Sequence, residues 1–232
     1  MNRSVITIAF IFCFCVSAEP IRSMIGADRI SIISQDGGTP LPEGVVAVEY
    51  IEGTGTQYID TGIIPNPDIG FVIVASYTGY APNYGRLFGT QKDGYSGTMT
   101  IRQSQANGGD IYIEKMGGVV GFSRYYPFDT NLHVFRFNFP DNSVSIDDYK
   151  YTYQTLSSSY TYSCWVFGNN GATGCAAARV YEVYCFSRID ESIVAHFIPV
   201  RVGDIGCMYE MVSGILFDNI GTGNFLVGPD KE

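Results

Sequence analysis

The sequence predicts an all-β protein folded as a two-sheet antiparallel sandwich, and three observations predict it. Short alternating or continuous apolar runs recur from Val45 onward, each closed by Gly, Pro, Asn or Asp. The chain carries 17 Tyr, 15 Phe and 27 Gly, a composition suited to strands and tight turns. No amphipathic run of helical period outlasts about two turns.

Taken in order, the first eighteen residues read as a secretory signal. Arg3 supplies the positive charge, Val5–Val16 the apolar run, and Val16-Ser17-Ala18 a cleavage site after Ala18. A membrane-spanning helix needs roughly 20 apolar residues, so this run is too short, and membrane insertion is not expected. Phe12 and Phe14 stand ahead of Cys13 and Cys15, where a lipoprotein signal has small residues. The expected location is therefore secreted, extracellular or at the cell surface. Residues 19–44 read as an N-terminal leader, broken by Pro20, Gly26, Gly37-Gly38, Pro40 and Pro42, with one short strand at Ile30–Ile33. The domain is expected over residues 45–229.

Strands are expected at Val48–Glu52 and Gln57–Thr61, joined by the bend Gly53-Thr54-Gly55-Thr56. A similar Gly221-Thr222-Gly223 corner recurs before Asn224-Phe225-Leu226-Val227-Gly228. Phe71–Ala75 is continuously apolar, as in a strand covered on both faces. Arg86–Thr90, Thr98–Gln103 and Ile111–Lys115 alternate more weakly. His133–Phe139 puts His133, Phe135, Phe137 and Phe139 on one face, and after Pro140-Asp141-Asn142 the alternation resumes through Val144 and Ile146. Cys164–Gly168, Arg179–Phe186, Ile193–Val202, Cys207–Val212, Ile215–Phe217 and Phe225–Gly228 complete the set.

Charge and cysteines narrow the partners. Removing residues 1–18 takes one basic residue and no acidic one from 14 and 23, so the formal charge moves from −9 to −10. An acidic surface repels phosphate backbones and anionic lipids, and nucleic acid is excluded as an expected partner. Cys164, Cys175, Cys185 and Cys207 remain after cleavage, an even number that in an exported chain suggests two disulfides of open connectivity. Their spacing fits no zinc pattern. Calcium is the one metal the composition allows, as a structural ion held by loop oxygens such as those of Asp60, Asn66 and Asp68.

Three segments carry a family resemblance. The first is Glu49-Tyr50-Ile51-Glu52-Gly53-Thr54-Gly55-Thr56-Gln57-Tyr58-Ile59-Asp60-Thr61-Gly62. The second is Arg179-Val180-Tyr181, continuing to Ala195-His196-Phe197-Ile198-Pro199-Val200-Arg201. The third is Met208-Tyr209-Glu210-Met211-Val212-Ser213-Gly214, then Phe217, Asn219 and Gly221–Phe225. With Leu87-Phe88-Gly89 and Val166-Phe167-Gly168, the chain resembles the concanavalin A-like, laminin-G-like jelly rolls of bacterial surface and phage tail proteins. The resemblance implies a jelly-roll sandwich and a carbohydrate-binding or adhesive role. Relatives tend to carry Asp where Glu210 and His196 stand.

No catalytic constellation emerges. The Glu-x-Asp-x-x-Glu strand motif of jelly-roll glucanases is absent, and Asp110 and Glu114 on one regular strand stand about 13 Å apart. Retaining and inverting glycosidases need roughly 5–9.5 Å. His133 and His196 read as strand residues at a core edge, and no Gly-x-Ser-x-Gly elbow accompanies them. For sugar binding, tyrosine offers a stacking face and a polar tip. The loop Tyr77–Gly85 supplies Tyr77, Tyr80, Asn83 and Tyr84, while Tyr95, and Tyr125 and Tyr126 of Ser123–Tyr126, add tyrosines from segments read as irregular. The expected function is a secreted non-catalytic module that binds a glycan or a cell-surface protein. The alternatives are a structural or assembly domain of a surface or fibre complex, and a glycoside hydrolase with its acid and base on separate strands.

Overall fold

The computed structural model describes residues 40–80, 84–91, 98–103, 110–117, 120–138, 143–152, 160–169 and 174–231, the side chains of 115–117, 120–125 and 138 excepted. The expected signal at 1–18, the leader to residue 39 and the loop residues Asn83 and Tyr95 lie outside them. In chain order the strands are β1 (Val45–Ala47), β2 (Ile51–Thr54), β3 (Ile59–Asp60), β4 (Ile69–Tyr77), β5 (Arg86–Thr90) and β6 (Thr98–Gln103). They continue as β7 (Ile111–Gly117), β8 (Val120–Tyr126), β9 (His133–Asn138), β10 (Ser143–Ile146), β11 (Tyr149–Thr152) and β12 (Trp165–Val166). The last are β13 (Ala177–Ser187), β14 (Ile193–Val202), β15 (Ile205–Glu210), β16 (Ile215–Phe217) and β17 (Leu226–Val227). Among the described residues there is no helix.

The strands form two antiparallel sheets packed face to face. The larger runs β11-β10-β9-β4-β13-β14-β15-β16, with β2 on β13, β17 on β2, and β1 on β14. The smaller, of six strands, runs β3-β12-β5-β6-β7-β8. Pleat alternation decides which residues meet between the layers. Phe71 and Ile73 of β4, Phe135 and Phe137 of β9, and Val183 and Cys185 of β13 point inward from the large sheet. They meet Ile59, Phe88, Met99, Ile101, Ile111, Ile113 and Val166 of the small one. The Phe71 and Phe88 rings lie 5.3 Å apart across the gap. Each such fully buried Phe contributes about 1.5–3 kcal/mol.

The first glycine-rich corner carries the chain from one sheet to the other, since β2 belongs to the large sheet and β3 to the small. Gln57 holds it. Its buried side-chain oxygen accepts the Thr54 N–H at 2.8 Å and the Thr56 N–H at 3.3 Å, while its amide donates to the Asn224 carbonyl at 3.0 Å. The two Gly-Thr-Gly corners therefore dock on each other. Thr222 N–H donates to the Thr56 carbonyl, Ile220 N–H to that of Tyr58, and Asn219 Oδ1 accepts the N–H of Tyr58 and Gly221. Gly221 is required here, because a Cβ would sit 2.1 Å from the Thr56 carbonyl oxygen.

Two expectations are corrected. Residues 123–126 belong to β8 rather than to an irregular segment. The four cysteines are free and buried, not paired. Cys164 and Cys185 lie in the main core, whereas Cys207 faces away from it with Val200 and Tyr209, on the opposite side of the pleat from Met208. Burial pushes Cys185 up to about 12 and Cys207 up to about 11, so both behave as small protonated core side chains.

Candidate functional site

With Ile59, Val166, Phe88, Ile101 and Ile113 facing the core, their neighbours line the outer face of the six-stranded sheet. Strand register sets Asp60, Trp165, Gly89, Thr100 and Glu114 in one row across β3, β12, β5, β6 and β7. A second row holds Arg86, Arg102 and Tyr112, with Tyr125 as the register partner of Tyr112.

Trp165, the one tryptophan of the chain, stacks on Tyr58 with ring centroids 4.5 Å apart and planes 4° from parallel. Tyr58 cannot drift, because its backbone is bonded to Asn219 and Ile220 of the docked corner. Behind the pair, Gly168 leaves space that a Cβ would crowd, at 3.3 Å from Tyr58 and 3.5 Å from Trp165. Phe167, at φ 62°, ends β12 and turns the chain there. Next to Trp165 in the row comes Gly89, which presents no side chain to this face.

On the far side of Gly89 stands a second aromatic group built around Arg102. Its guanidinium lies 4.8 Å from the ring centres of both Tyr84 and Tyr112. Two hydrogen bonds, Nε to Oε2 at 2.8 Å and Nη2 to Oε1 at 2.6 Å, fix it to Glu114. Burial alone lowers the pKa of Arg102, but the Glu114 contact outweighs burial and raises it, so the guanidinium stays charged. Tyr84 is 39% exposed and sits at φ 63°, a left-handed conformation that is strained for a tyrosine.

Along these rows and the one beyond Thr100, the floor is polar and buried. Thr98, Thr100 and Glu114 are each at most 7% exposed. Thr100 Oγ1 donates to the Phe88 carbonyl. Among the described residues, Trp165 Nε1 and Thr98 Oγ1 are buried donors on this face without a hydrogen-bond partner. Buried polar groups are nearly always satisfied, so orphans on one face stand out.

The residues expected to bind ligand divide along the pleat. Tyr84 joins this face, and Tyr80 is 48% exposed nearby in sequence. Tyr77 does not contribute: at the end of β4 it shares the inward parity of Ile73 and Ala75 and is 1% exposed, with its ring 6.2 Å from Phe128. Tyr126 turns to the core side with Ile111 and packs edge-on to His133 at 5.2 Å and Tyr149 at 5.7 Å. Asn83 and Tyr95 lie outside the described residues. Trp165, Tyr58, Arg102, Tyr112 and Thr98 were missed. The signal that could have found them was the alternation itself: once Ile59, Val166, Ile101 and Ile113 are read as inward, Asp60, Trp165, Arg102 and Tyr112 must face out. Among the described residues no group of three or more His, Cys, Asp or Glu is placed to hold a metal ion.

Comparison with protein-family models returned no match, and no curated protein matches the chain.

Proposed function

We propose that this protein is a secreted, non-catalytic binding module that recognises glycans on the outer face of its six-stranded sheet, within a concanavalin A-like jelly-roll domain. One observation carries the reading. Two aromatic groups, Trp165 with Tyr58 and Tyr84 with Tyr112, share a face with buried polar residues, and among the described residues Trp165 Nε1 and Thr98 Oγ1 are buried there without partners. Sugar rings offer apolar C–H faces to aromatic planes and hydroxyls to such donors and acceptors. At about 4.8 Å per strand, the three steps from Trp165 to Glu114 span roughly 14 Å, room for an oligosaccharide rather than a single ring.

The non-catalytic part rests on carboxylate spacing. Asp60 and Glu114 are four strands apart in one row, roughly 19 Å, against the roughly 5–9.5 Å that glycosidases use. Glu114 is moreover engaged twice by Arg102.

The test is a glycan array followed by titration of array hits, read by the fluorescence of the single tryptophan. Binding with a change in Trp165 emission, lost more than tenfold in Trp165→Ala, supports the reading. An array that returns nothing with folded protein overturns it, as does a hit that Trp165→Ala binds unchanged.

A further inference from the structure

His133 lies away from this face, at the edge where the two sheets close on each other, and is 3% exposed. Its Nδ1 is 2.7 Å from Asp147 Oδ2 and its Nε2 is 2.8 Å from Asp129 Oδ1. Ionised carboxylates only accept hydrogen bonds, so satisfying both contacts requires an N–H on each ring nitrogen. Only the imidazolium has two. We propose that His133 is an alkaline-opening latch: its imidazolium ties the β8–β9 loop, through Asp129, to the β10–β11 turn, through Asp147, and on deprotonation it lets the Asp129 arm go.

The two arms are unequal, which fixes the order of release. Asp147 is built into the large sheet. Its Oδ1 accepts the Val134 N–H at 2.8 Å, its own N–H donates to the Val134 carbonyl at 2.9 Å, and its carbonyl accepts Arg136 Nη1 at 3.2 Å. Asp129 is held only locally by comparison, its Oδ1 accepting the Asn131 N–H at 2.8 Å within its own loop. A neutral imidazole therefore keeps Nδ1–H on Asp147 and turns the Nε2 lone pair toward Asp129, where two acceptors repel.

The surroundings favour the charged ring at neutral pH. The hydrogen bond to Asp147 raises the His133 pKa most, burial opposes it, and Asp129 adds to the rise. Burial raises the carboxyls of Asp129 and Asp147, but His133 and backbone N–H groups outweigh it and hold both below their usual range. Arg136 and Asp148 lie near Asp147, while Tyr126, Tyr149 and Tyr151 gather near the carboxylates from β8 and β11. Tyr126 and Phe135 pack edge-on to the imidazole, at 5.2 Å and 5.9 Å. A histidine pKa raised in the folded state stabilises fully below the unfolded value of 6.5 and ceases to do so as pH rises through the folded one.

The experiment uses the full chain. Nuclear magnetic resonance follows the two histidines across pH, with His196→Gln identifying which signal is which. Amide exchange over residues 127–132 is measured at the same pH values and corrected for the base-catalysed intrinsic rate. The expected result is a His133 midpoint above 6.5, both ring nitrogens protonated below it, and exchange in 127–132 rising several-fold above it while Val134 stays protected. In Asp129→Asn the side-chain amide can donate to a neutral Nε2. The midpoint should then fall by about one unit and the rise in exchange should vanish. A wild-type midpoint at or below 6.5 overturns the latch, and so does exchange that ignores the midpoint. Both readings come from the wild-type chain and stand even if the variant does not fold.

Discussion

Two polar networks on this sandwich use their hydrogen-bonding capacity in opposite ways. At the docked corners Gln57 is spent on architecture, its oxygen accepting from Thr54 and Thr56 and its amide donating to Thr54 and Asn224. On the outer face of the six-stranded sheet, Trp165 Nε1 and Thr98 Oγ1 are buried and unused. A network closed on itself fixes a fold, whereas orphaned donors beside stacked rings cost stability unless something else completes them. On the proposed reading, the contrast separates the residues that build the domain from those that would meet a ligand.

The largest expected effects come from exchanging one behaviour for the other. Gln57→Ala leaves the Thr54 and Thr56 N–H groups and the Asn224 carbonyl without their partner, and should cost about 2–4 kcal/mol of unfolding free energy. Denaturant titration measures it. Trp165→Ala removes a stacked but partly accessible ring, so its stability loss should be about 1–2 kcal/mol, with the larger loss falling on binding. If Gln57→Ala proves neutral, or if Trp165→Ala costs more stability than Gln57→Ala, the division between the two networks fails.

How legible this was in the sequence varies with sequence separation. Strands such as Arg86–Thr90, Thr98–Gln103 and Ile193–Val202 could be read residue for residue, because apolar spacing and turn residues are local signals. β11 and β8 could not; Tyr149–Thr152 is exposed except at Tyr151, and its pairing comes from Ser143–Ile146 beside it. The corners were visible as a repeated Gly-Thr-Gly, but not their docking, which spans more than 160 residues. The site was legible only in part. Tyrosine-rich loops drew attention to Tyr77 and Tyr126, and the pleat sends both inward. Trp165 was passed over in favour of those loops, although its place between the buried Cys164 and Val166 sets it on the opposite face.

A smaller effect tests the structural side from the acid end. Glu210 closes the turn after β15, with Oε1 accepting the N–H of His196 at 2.8 Å and of Val212 at 2.9 Å, and Oε2 that of Ser213 at 2.6 Å. Burial raises its carboxyl, but these bonds outweigh burial and hold it below the ordinary 4.5. A carboxyl depressed in the folded state stabilises above its unfolded value and loses that contribution as pH falls through the folded one. Glu210→Gln should therefore flatten the acid limb of stability, where pH falls below the ordinary carboxyl value of 4.5, and cost about 1–2 kcal/mol at neutral pH. An unchanged acid limb would remove Glu210 from the architectural set.

The smallest effect is the most discriminating, because it sets strain against function at one residue. Tyr84 is held at φ 63°, and the left-handed region costs a non-glycine residue about 1–2 kcal/mol. It packs on Arg102 at 4.8 Å, a cation–π contact contributing about 0.5–1 kcal/mol at an exposed site. Tyr84→Gly relieves the first and loses the second, with some added entropy in the unfolded chain, so stability should change by less than about 1 kcal/mol in either direction. Binding to an array-identified oligosaccharide should nevertheless weaken several-fold, because the ring facing Tyr112 across the guanidinium is gone. A clear loss of stability with unchanged binding would mark Tyr84 as a residue of the fold. The reverse outcome assigns its strained backbone to the ligand face.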